Sequence, residues 1–525
     1  MDRKSNDEGE PVKNILLSLA AEKAFNSKII KKVRELTEPD SVYIIVSDKK
    51  ELSRYKDLGT CILRERTAQG LCRVEELGEG DYRALDDTVF AWMNPHSLEI
   101  MNQQRRFEEY HAFHIDPSFD SHYRIYMHNL YFWYNFLLTK EITHIFLSCV
   151  PHEGYDCIIY YLAKMLNIPV QMVYNSTFPF REYPLSDCLN VEEYLADEYR
   201  ILTEIYQDTE AEDIPLEGDG ERMYRKWSSA DPAQMTPWYA KGNPLKTRFK
   251  TRFGETNAWK SMKAYVRPAK KKYGVSFLFF MYCLCHVFGI IGAAFGALRR
   301  YCYGRPVWKR TLKLNKYYNR LAEEPVSGEK YIYFALHYQP EASSNPLGGD
   351  VYVDQMFAIN LLSKNFPEDV YIYVKVHQEQ LAPLRSREYY QDMKRIPRVR
   401  LIKAGCSTYD LIQNALAVST LTGTACWEAQ FYQKPALLFG YSQKNLAPLT
   451  YHVRTEGDVR EAAQRILYNP KTATEKELKL FSKAMFNVSY AVSERDEVLP
   501  EIIAQFIKGQ PIIIKRKEKQ QEEEA

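Results

Sequence analysis

Two apolar segments in the second half of the chain lead into side chains that can contact an anion or hydroxyl groups. YIYFALH runs into Gln339 and Glu341, and VYIYVKVH contains Lys375 and His377. Lys375 and His377 lie two positions apart on a predicted strand, so their side chains share a face and could both point at a phosphate. These residue types suit a ligand that carries phosphate and hydroxyl groups together.

A third apolar segment, ALAVSTLTG, ends in Thr422, Gly423 and Thr424, just before a predicted helix that carries Glu428. The free N–H groups and the dipole of a helix N-terminus favour a phosphate. Glu428, one turn into the helix, could accept hydrogen bonds from ribose hydroxyls. Each feature also has a structural explanation, since the Thr-Gly-Thr turn can be an N-cap alone and Glu428 a surface carboxylate. All these residues lie at or just after the carboxyl ends of predicted strands, on one edge that is called the rim below. Their convergence on this edge is what favours a nucleotide site.

The rim follows from the elements that the sequence predicts. Short segments rich in β-branched and aromatic residues alternate with helix-like segments in the second half, which predicts a mostly parallel sheet with helices on both faces. In such sheets ligands bind at the carboxyl ends of the strands. The first half repeats the pattern with KNILLSLA, SVYIIVSD, THIFLSCV and PVQMVYN. The predicted fold class is therefore α/β and GT-B-like, with two doubly wound Rossmann-type domains facing a cleft.

The predicted organisation has six parts. In chain order they are a disordered N-terminus (1–12), an N-terminal α/β domain on the acceptor side (13–177), an insertion or connector (178–270), an apolar segment (271–300), a C-terminal α/β domain that binds the nucleotide sugar (301–510) and a charged disordered tail (511–525).

The apolar segment contains Val275–Leu298, which is long enough to span a bilayer. Basic residues flank both ends, so the charge bias favours neither orientation. A span would also separate the two predicted domains, which could then share no cleft. The sequence therefore favours a segment that associates with one leaflet, and the alternative is a buried helix between the domains.

Composition limits the function classes. The 525 residues are 45% hydrophobic and 26% charged, with a net charge of +2, so no basic field indicates a nucleic-acid partner. The 10 Cys show no CxxC pair, and the first residues lack the apolar core of a signal peptide. A reducing, cytoplasmic location is expected, with peripheral association at the inner face of the membrane.

Several ordered motifs resemble the capsule polysaccharide biosynthesis family, which is related to GT-B enzymes that transfer Kdo or similar sugars from CMP-activated donors. The motifs are LHYQPEASSNPLGG, DQMFAINLLS, YVKVH, VRLIKAGCSTYDLIQNA and STLTGTACWEAQFYQKPALLFG. The resemblance implies that His377 and the Thr422–Thr424 turn hold the donor phosphate and that Gln339 and Glu341 line the cleft. One departure is Gln378, which stands where the family usually has proline after the histidine.

Glycosyl transfer needs a base for the acceptor hydroxyl, or in some retaining enzymes a carboxylate nucleophile. The loop His152–Glu153–Gly154 follows a predicted strand in the first half and would face the cleft. Glu153 is our candidate base and Glu341 the competing catalytic carboxylate. The alternative for Glu153 is charge stabilisation of a helix N-terminus. No DxD-like signature falls among the motifs, so we predict no metal and no cofactor besides the nucleotide-sugar substrate.

The sequence therefore predicts a glycosyltransferase that moves a sugar from a nucleotide-activated donor, with a CMP-Kdo-like donor possible, to a growing capsular or other surface polysaccharide. Expected partners are the nucleotide sugar, a lipid-linked or oligosaccharide acceptor and the inner leaflet. Two alternatives stay open. One is a CDP-polyol phosphotransferase of the teichoic-acid type, and the other is a non-catalytic GT-B-like scaffold for glycan assembly.

Overall fold

A computed structural model describes residues 12–18, 26–46, 49–64, 72–73, 85–111, 119–231, 308–339, 341–377, 380 and 385–514. Within these residues the chain forms two mostly parallel sheets, one in each half. This confirms the predicted mixed α/β architecture with two Rossmann-type domains.

The first sheet has β1 at its centre, and the chain leaves β1 first towards one edge and later towards the other. Its strand order is β4-β3-β2-β1-β5-β6-β7-β14, with antiparallel pairs only at β3–β4, β6–β7 and β7–β14. The strands are β1 (Asn14–Ser18), β2 (Ser41–Val46), β3 (Thr60–Arg64), β4 (Cys72–Arg73), β5 (His144–Leu147), β6 (Val170–Asn175), β7 (Arg181–Leu185) and β14 (Tyr490–Ala491).

Helices cover both faces of this sheet, which explains why β1 and β5 are apolar on both faces rather than alternating. The helices of the first half are α1 (Ser27–Thr37), α2 (Lys49–Tyr55), α3 (Asp87–His111), α4 (Phe119–Thr139), α5 (Tyr155–Met165), α6 (Glu193–Ile205) and α7 (Asp219–Ser228). Strand β7 and helices α6 and α7 come from the segment 178–231, in which the residue pattern shows no clear periodicity.

The second sheet is parallel throughout, in the order β10-β9-β8-β11-β12-β13. Its strands are β8 (Lys330–Ala335), β9 (Val370–Lys375), β10 (Val399–Ile402), β11 (Ala417–Thr420), β12 (Ala436–Leu438) and β13 (Thr450–His452). Its helices are α8 (308–321), α9 (Gln355–Asn365), α10 (Arg387–Arg395), α11 (Thr408–Asn414), α12 (Ala425–Phe431), α13 (Glu456–Tyr468) and α14 (Glu475–Asn487).

The end of the chain returns to the first sheet. Strand β14 pairs with β7, and α15 (Arg495–Ile507) packs on α1. The side chains of Arg495 and Glu182 form a partly buried ion pair, with Nε and Oε2 2.9 Å apart. The sequence prediction assigns this segment to the second domain (301–510), whereas the structure pairs it with the first sheet. The residue pattern of a strand or a helix does not show which sheet that element joins.

Three sequence predictions concern residues outside the described ones. These are the disordered N-terminus, apart from residue 12, the apolar segment 271–300 and most of the charged tail. Among the helices of the described residues, none has the length and apolar character that crossing a membrane requires.

Candidate functional site

The strand order of the second sheet creates a switch point between β8 and β11. The chain continues from β8 to β9 on one side and from β11 to β12 on the other, as in the 3-2-1-4-5-6 order of doubly wound sheets. A crevice opens at the carboxyl ends of two strands whose connections diverge in this way. His337 follows β8 and Thr422 follows β11, so both residues lie at this crevice.

His337 is buried and joins the two strand ends. Its backbone N–H donates to Gln355 Oε1 at 2.8 Å, and its Nε2 accepts from the Thr422 N–H at 3.0 Å. Burial, with the nearby charges of His377, Lys444 and Arg385, lowers the pKa of His337 to about 3. The ring is therefore neutral at neutral pH, and it acts here as a hydrogen-bond acceptor rather than as a cation.

The Thr422–Thr424 turn lies where the sequence predicted it, directly before α12. The Thr422 hydroxyl donates to the Ser343 carbonyl oxygen at 2.6 Å. A Cβ at Gly423 would lie 3.0 Å from Thr420 Oγ1 and 3.4 Å from His337 Nε2, so a side chain there would crowd the crevice. Thr424 is the N-cap of α12 but makes no side-chain cap hydrogen bond.

Glu428 and Lys444 are buried and oppositely charged, and they lie near each other at this rim. Burial raises the pKa of Glu428 to about 7, although Lys226 and Lys444 oppose the rise. Burial likewise lowers the pKa of Lys444 to about 8, against the opposing effect of Cys426 and Glu428. Among the described residues, neither the Glu428 carboxylate nor the Lys444 ammonium has a hydrogen-bond partner. Within the described residues, both groups thus have hydrogen-bonding capacity that the protein itself does not use.

Sequence reasoning missed Lys444, and Lys226 with it. Lys444 lies in a short 3-10 turn, Gln443–Leu446, after β12, and Lys226 lies on α7. The segment PALLFG signals the strand before Lys444, and the rule that ligands bind at strand ends could have found this residue. No local signal places α7 beside α12, because that contact depends on the packing of Trp227 against Trp427.

Lys375 is buried and makes hydrogen bonds within the second domain. Its Nζ donates to the Cys406 carbonyl oxygen at 2.7 Å and to Thr408 Oγ1 at 2.8 Å, and the side chain is buried. Burial lowers its pKa to about 8. Lys375 therefore fixes the loop before α11, and a role at a phosphate remains a prediction.

Gln339 and His377 also lie near this rim. The Gln339 amide oxygen accepts from Gln355 Nε2 at 2.7 Å and from Arg385 Nη2 at 3.0 Å, while its amide nitrogen donates to the Val353 carbonyl oxygen. Gln339 is thus held in a network of other side chains. His377 is half-buried, and its ring centroid lies 6.1 Å from that of Tyr338.

The loop 341–349 carries Glu341 and spans the contact between the two domains. Leu347 in this loop belongs to the first domain's hydrophobic core, which also includes Ile158 and Leu162 of α5. Burial raises the pKa of Tyr174, on β6, and the nearby Glu341 raises it further. Glu341 therefore faces the first domain, as its candidate role at the cleft requires.

The first domain has its own switch point between β1 and β5, and the loop His152–Gly154 follows β5 there. Asp156 organises this loop. Its carboxylate accepts from the backbone N–H groups of His152 at 2.9 Å, Glu153 at 2.7 Å and Cys157 at 2.8 Å. Asp156 thus stabilises the N-terminus of α5, the task that the structural alternative gave to Glu153. The half-buried Glu153 remains a candidate base.

The structure thus brings the Thr422–Thr424 turn and Glu428 together on one rim. It places Glu341 near Tyr174 of the first domain and Glu153 in the loop after β5 of the first sheet. In the described part of the chain, no three His, Cys, Asp or Glu side chains are arranged as a metal site.

No protein-family model and no curated protein sequence matches this chain. Solved structures give alignments of low similarity. UDP-GlcNAc 2-epimerase from Methanocaldococcus jannaschii aligns over 90% of this chain and 97% of its own, at 12% identity and a TM-score of 0.23. The KpsC β-Kdo 2,7 transferase of Thermosulfurimonas dismutans aligns over 72% and 86%, at 11% identity and a TM-score of 0.25. UDP-GlcNAc 2-epimerase from Neisseria meningitidis, bound to UDP-GlcNAc, aligns over 93% and 98%, at 11% identity and a TM-score of 0.24. Similarity at this level supports no statement about activity.

Proposed function

We propose that this protein is a GT-B-type glycosyltransferase that transfers a sugar from a nucleotide-activated donor to a growing surface polysaccharide. The observation that carries the proposal is the pair Glu428 and Lys444 at the carboxyl rim of the second sheet. Both side chains are buried, and within the described residues neither charged group has a hydrogen-bond partner. Buried charged groups of this kind are costly unless a ligand pairs with them.

The two groups suit the two ends of a nucleotide's sugar-phosphate unit. A carboxylate accepts hydrogen bonds from vicinal ribose hydroxyls, and an ammonium attracts phosphate oxygens. The switch point beside them leaves a crevice in which the backbone can approach a ligand closely at Gly423. Stabilising the departing nucleotide phosphate is a main electrostatic task in sugar transfer, and Lys444, His377 and the Thr422–Thr424 turn are the groups proposed for it.

The acceptor hydroxyl would be activated from the first domain. Glu153 follows the switch point of the first sheet, and we assign it the role of base, with Glu341 as the competing carboxylate. Asp156 holds the Glu153 backbone in place through the 2.7 Å hydrogen bond. A CMP-linked sugar of the Kdo type is the first donor to test, because the motifs around YVKVH and STLTGTACWEAQ resemble capsule polysaccharide enzymes.

The experiment is a thermal-shift screen of the full chain against CMP, CDP, UDP, GDP and ADP. A nucleotide that binds only the folded protein raises the melting temperature by mass action. We expect one nucleotide to do so, and we expect Glu428→Gln and Lys444→Met to reduce the shift at least several-fold. Glu461→Gln on α13 is the matched control, because this side chain is 63% exposed.

Transfer is then measured with the sugar nucleotide of the base that binds. A product with a glycosidic linkage supports the proposal, whereas a phosphodiester linkage would assign the chain to polyol phosphate transfer. If no nucleotide shifts the melting temperature of the wild-type protein, the proposed function is wrong.

A further inference from the structure

Two buried amide side chains, Gln103 and Asn345, meet where the two domains touch, and a third, Gln104, follows Gln103 on the same helix. Gln103 and Gln104 lie on α3 of the first domain, and Asn345 lies in the loop 341–349 of the second. The amide nitrogen of Gln103 donates to the Asn345 carbonyl oxygen, and Asn345 Nδ2 donates to the Glu99 carbonyl oxygen at 3.3 Å. Gln103, Gln104 and Asn345 are called the interdomain amide cluster below.

The cluster has unused hydrogen-bonding capacity inside the protein. Gln103 and Asn345 are 0% exposed and Gln104 is 8% exposed. Within the described parts of the chain, Gln103 Oε1, Asn345 Oδ1 and both amide atoms of Gln104 have no hydrogen-bond partner. Folded proteins satisfy the great majority of their buried polar atoms, because each unsatisfied one destabilises the fold. Four such atoms, on the neighbouring residues Gln103 and Gln104 and on Asn345 across the contact from Gln103, therefore indicate a binding partner for them.

The cluster lies beside both candidate catalytic carboxylates. Gln104 Cγ lies 2.7 Å from the point where a Cβ on Gly154 would be, and Gly154 directly follows Glu153. Gly154 has a φ of +87°, so a larger residue there would be strained as well as crowded. On the other side, the loop that carries Asn345 begins at Glu341, whose carbonyl oxygen accepts from the Asn345 N–H at 2.8 Å.

We propose that the interdomain amide cluster binds hydroxyl groups of the acceptor saccharide, in an open arrangement of the two domains. This inference rests on the proposed function, because it names the acceptor side of the same cleft. An amide oxygen accepts from a sugar hydroxyl, and the Gln104 amide nitrogen donates to a neighbouring hydroxyl oxygen. Vicinal hydroxyls of a pyranose offer both partners within the reach of one primary amide.

Access depends on the contact between α3 and the loop 341–349. Gln103 and Asn345 lie within this contact and Gln104 lies next to it on α3, so a saccharide reaches their unpartnered atoms when the two domains move apart. Hinge and shear movements of this kind are common in proteins that bind ligands between domains. The cluster would then hold the acceptor next to Glu153, where its hydroxyl can lose a proton during transfer.

The test is Gln104→Met in the full chain, since methionine keeps the length of the side chain and removes the amide. The probe is a panel of methyl glycosides of common hexopyranoses and of Kdo, at millimolar concentration and without donor, observed by saturation-transfer NMR. We expect the wild-type protein to bind at least one glycoside and the variant to bind it on the order of ten-fold more weakly. The melting temperature of the variant should not fall, because the amide has no hydrogen-bond partner among the described residues.

The matched control is Gln171→Met on β6. Gln171 is also buried, but its amide nitrogen donates to the carbonyl oxygens of Met172 at 3.2 Å and Leu185 at 2.9 Å. This change should lower the melting temperature and leave glycoside affinity unaltered. If Gln104→Met fails to fold, Gln104→Leu replaces it in the same comparison.

Equal binding by the wild-type protein and the Gln104 variant would overturn the inference, and so would the absence of any glycoside binding by the wild-type protein. Failure of the proposed function gives a different result, namely no melting shift with any nucleotide. Nucleotide binding without an effect of Gln104 on glycoside binding therefore rejects the amide cluster alone.

Discussion

Asp156 and Glu428 are both buried carboxylates at the carboxyl edge of a mostly parallel sheet, one in each domain. Asp156 accepts three backbone hydrogen bonds from the loop that it stabilises. Glu428 accepts none from the described residues, and burial raises its pKa to about 7. A carboxylate whose oxygens are used by its own loop supports the fold, whereas an unused one is available to a ligand. Residue type and position are alike in the two cases, so only the partners separate the roles.

The largest expected effect comes from removing the partnered carboxylate. Asp156→Asn replaces one accepting oxygen with an NH₂ group that faces backbone N–H donors. We expect the free energy of unfolding to fall by about 2–4 kcal/mol, because buried charge-assisted hydrogen bonds are lost and donors are left unpaired. Urea denaturation followed by circular dichroism measures this change.

Asp197→Asn on α6 is the control for that measurement. The Asp197 side chain is 79% exposed, so its replacement should change the free energy of unfolding by less than about 0.5 kcal/mol. An effect of Asp156→Asn as small as that of the control would show that these hydrogen bonds do not stabilise the loop His152–Gly154.

Glu428→Gln tests the unpartnered carboxylate, and its effect should depend on pH. The folded-state pKa of about 7 lies above the ordinary value of 4.5, so the folded protein holds the proton more tightly. The stability that this provides is fully present below pH 4.5 and is lost as the pH rises through about 7. We expect Glu428→Gln to remove this loss of stability with rising pH. At pH 8, the free energy of unfolding of the variant should be higher than that of the wild type by on the order of 1–3 kcal/mol.

The measurement is urea denaturation of both proteins at several pH values between 4 and 8. Equal slopes of stability against pH for the wild type and Glu428→Gln would contradict a raised pKa at Glu428. They would also remove the contrast with Asp156, since Glu428 would then be solvated or paired.

Two buried lysines allow the same comparison between a charged group with a hydrogen-bond partner and one without. The expected change in the free energy of unfolding is smaller. Lys483 donates to the Pro215 carbonyl oxygen at 2.7 Å, whereas Lys444 has no hydrogen-bond partner for its ammonium in the described residues. Lys483→Met should lower the free energy of unfolding by about 1 kcal/mol. Lys444→Met should leave it unchanged or raise it, because a buried ammonium without a partner is removed.

Thermal melting at pH 7 without ligand compares the two lysine variants directly. The pKa of Lys444 falls to about 8 on burial, so its charged form is still the main one at this pH. If Lys444→Met destabilises the protein more than Lys483→Met does, Lys444 stabilises the fold and its proposed role in binding a nucleotide is wrong.

Local patterns predicted most of the elements around the site. The segments YIYFALH, VYIYVKVH and ALAVSTLTG form β8, β9 and β11, and their polar ends lie on one edge because parallel strands share a direction. The Thr422–Thr424 turn precedes a helix as its residues indicated. These features depend on a few neighbouring residues, so periodicity and turn chemistry are enough to find them.

Other features of the site had no local signal. Leu347 packs in the core of the first domain, and Trp227 of the connector packs edge-to-face on Trp427 with ring centroids 5.4 Å apart. The sequence around each residue is ordinary, since contacts between distant segments leave no periodicity in either one. The same reason explains why the return of β14 and α15 to the first sheet was not predicted.

The sequence by itself determined the α/β class, the two strand–helix halves and the carboxyl rim on which the polar residues lie. Only the tertiary structure decided which of those residues are used by the fold. Lys375 donates hydrogen bonds to Cys406 and Thr408, and Gln339 accepts hydrogen bonds from Gln355 and Arg385. The Glu428 carboxylate, in contrast, has no hydrogen-bond partner among the described residues. The sequence specifies the type of each side chain, but the hydrogen-bond partners of a side chain come from segments far apart in sequence. Those partners decide whether a buried polar group supports the fold or is left for a ligand.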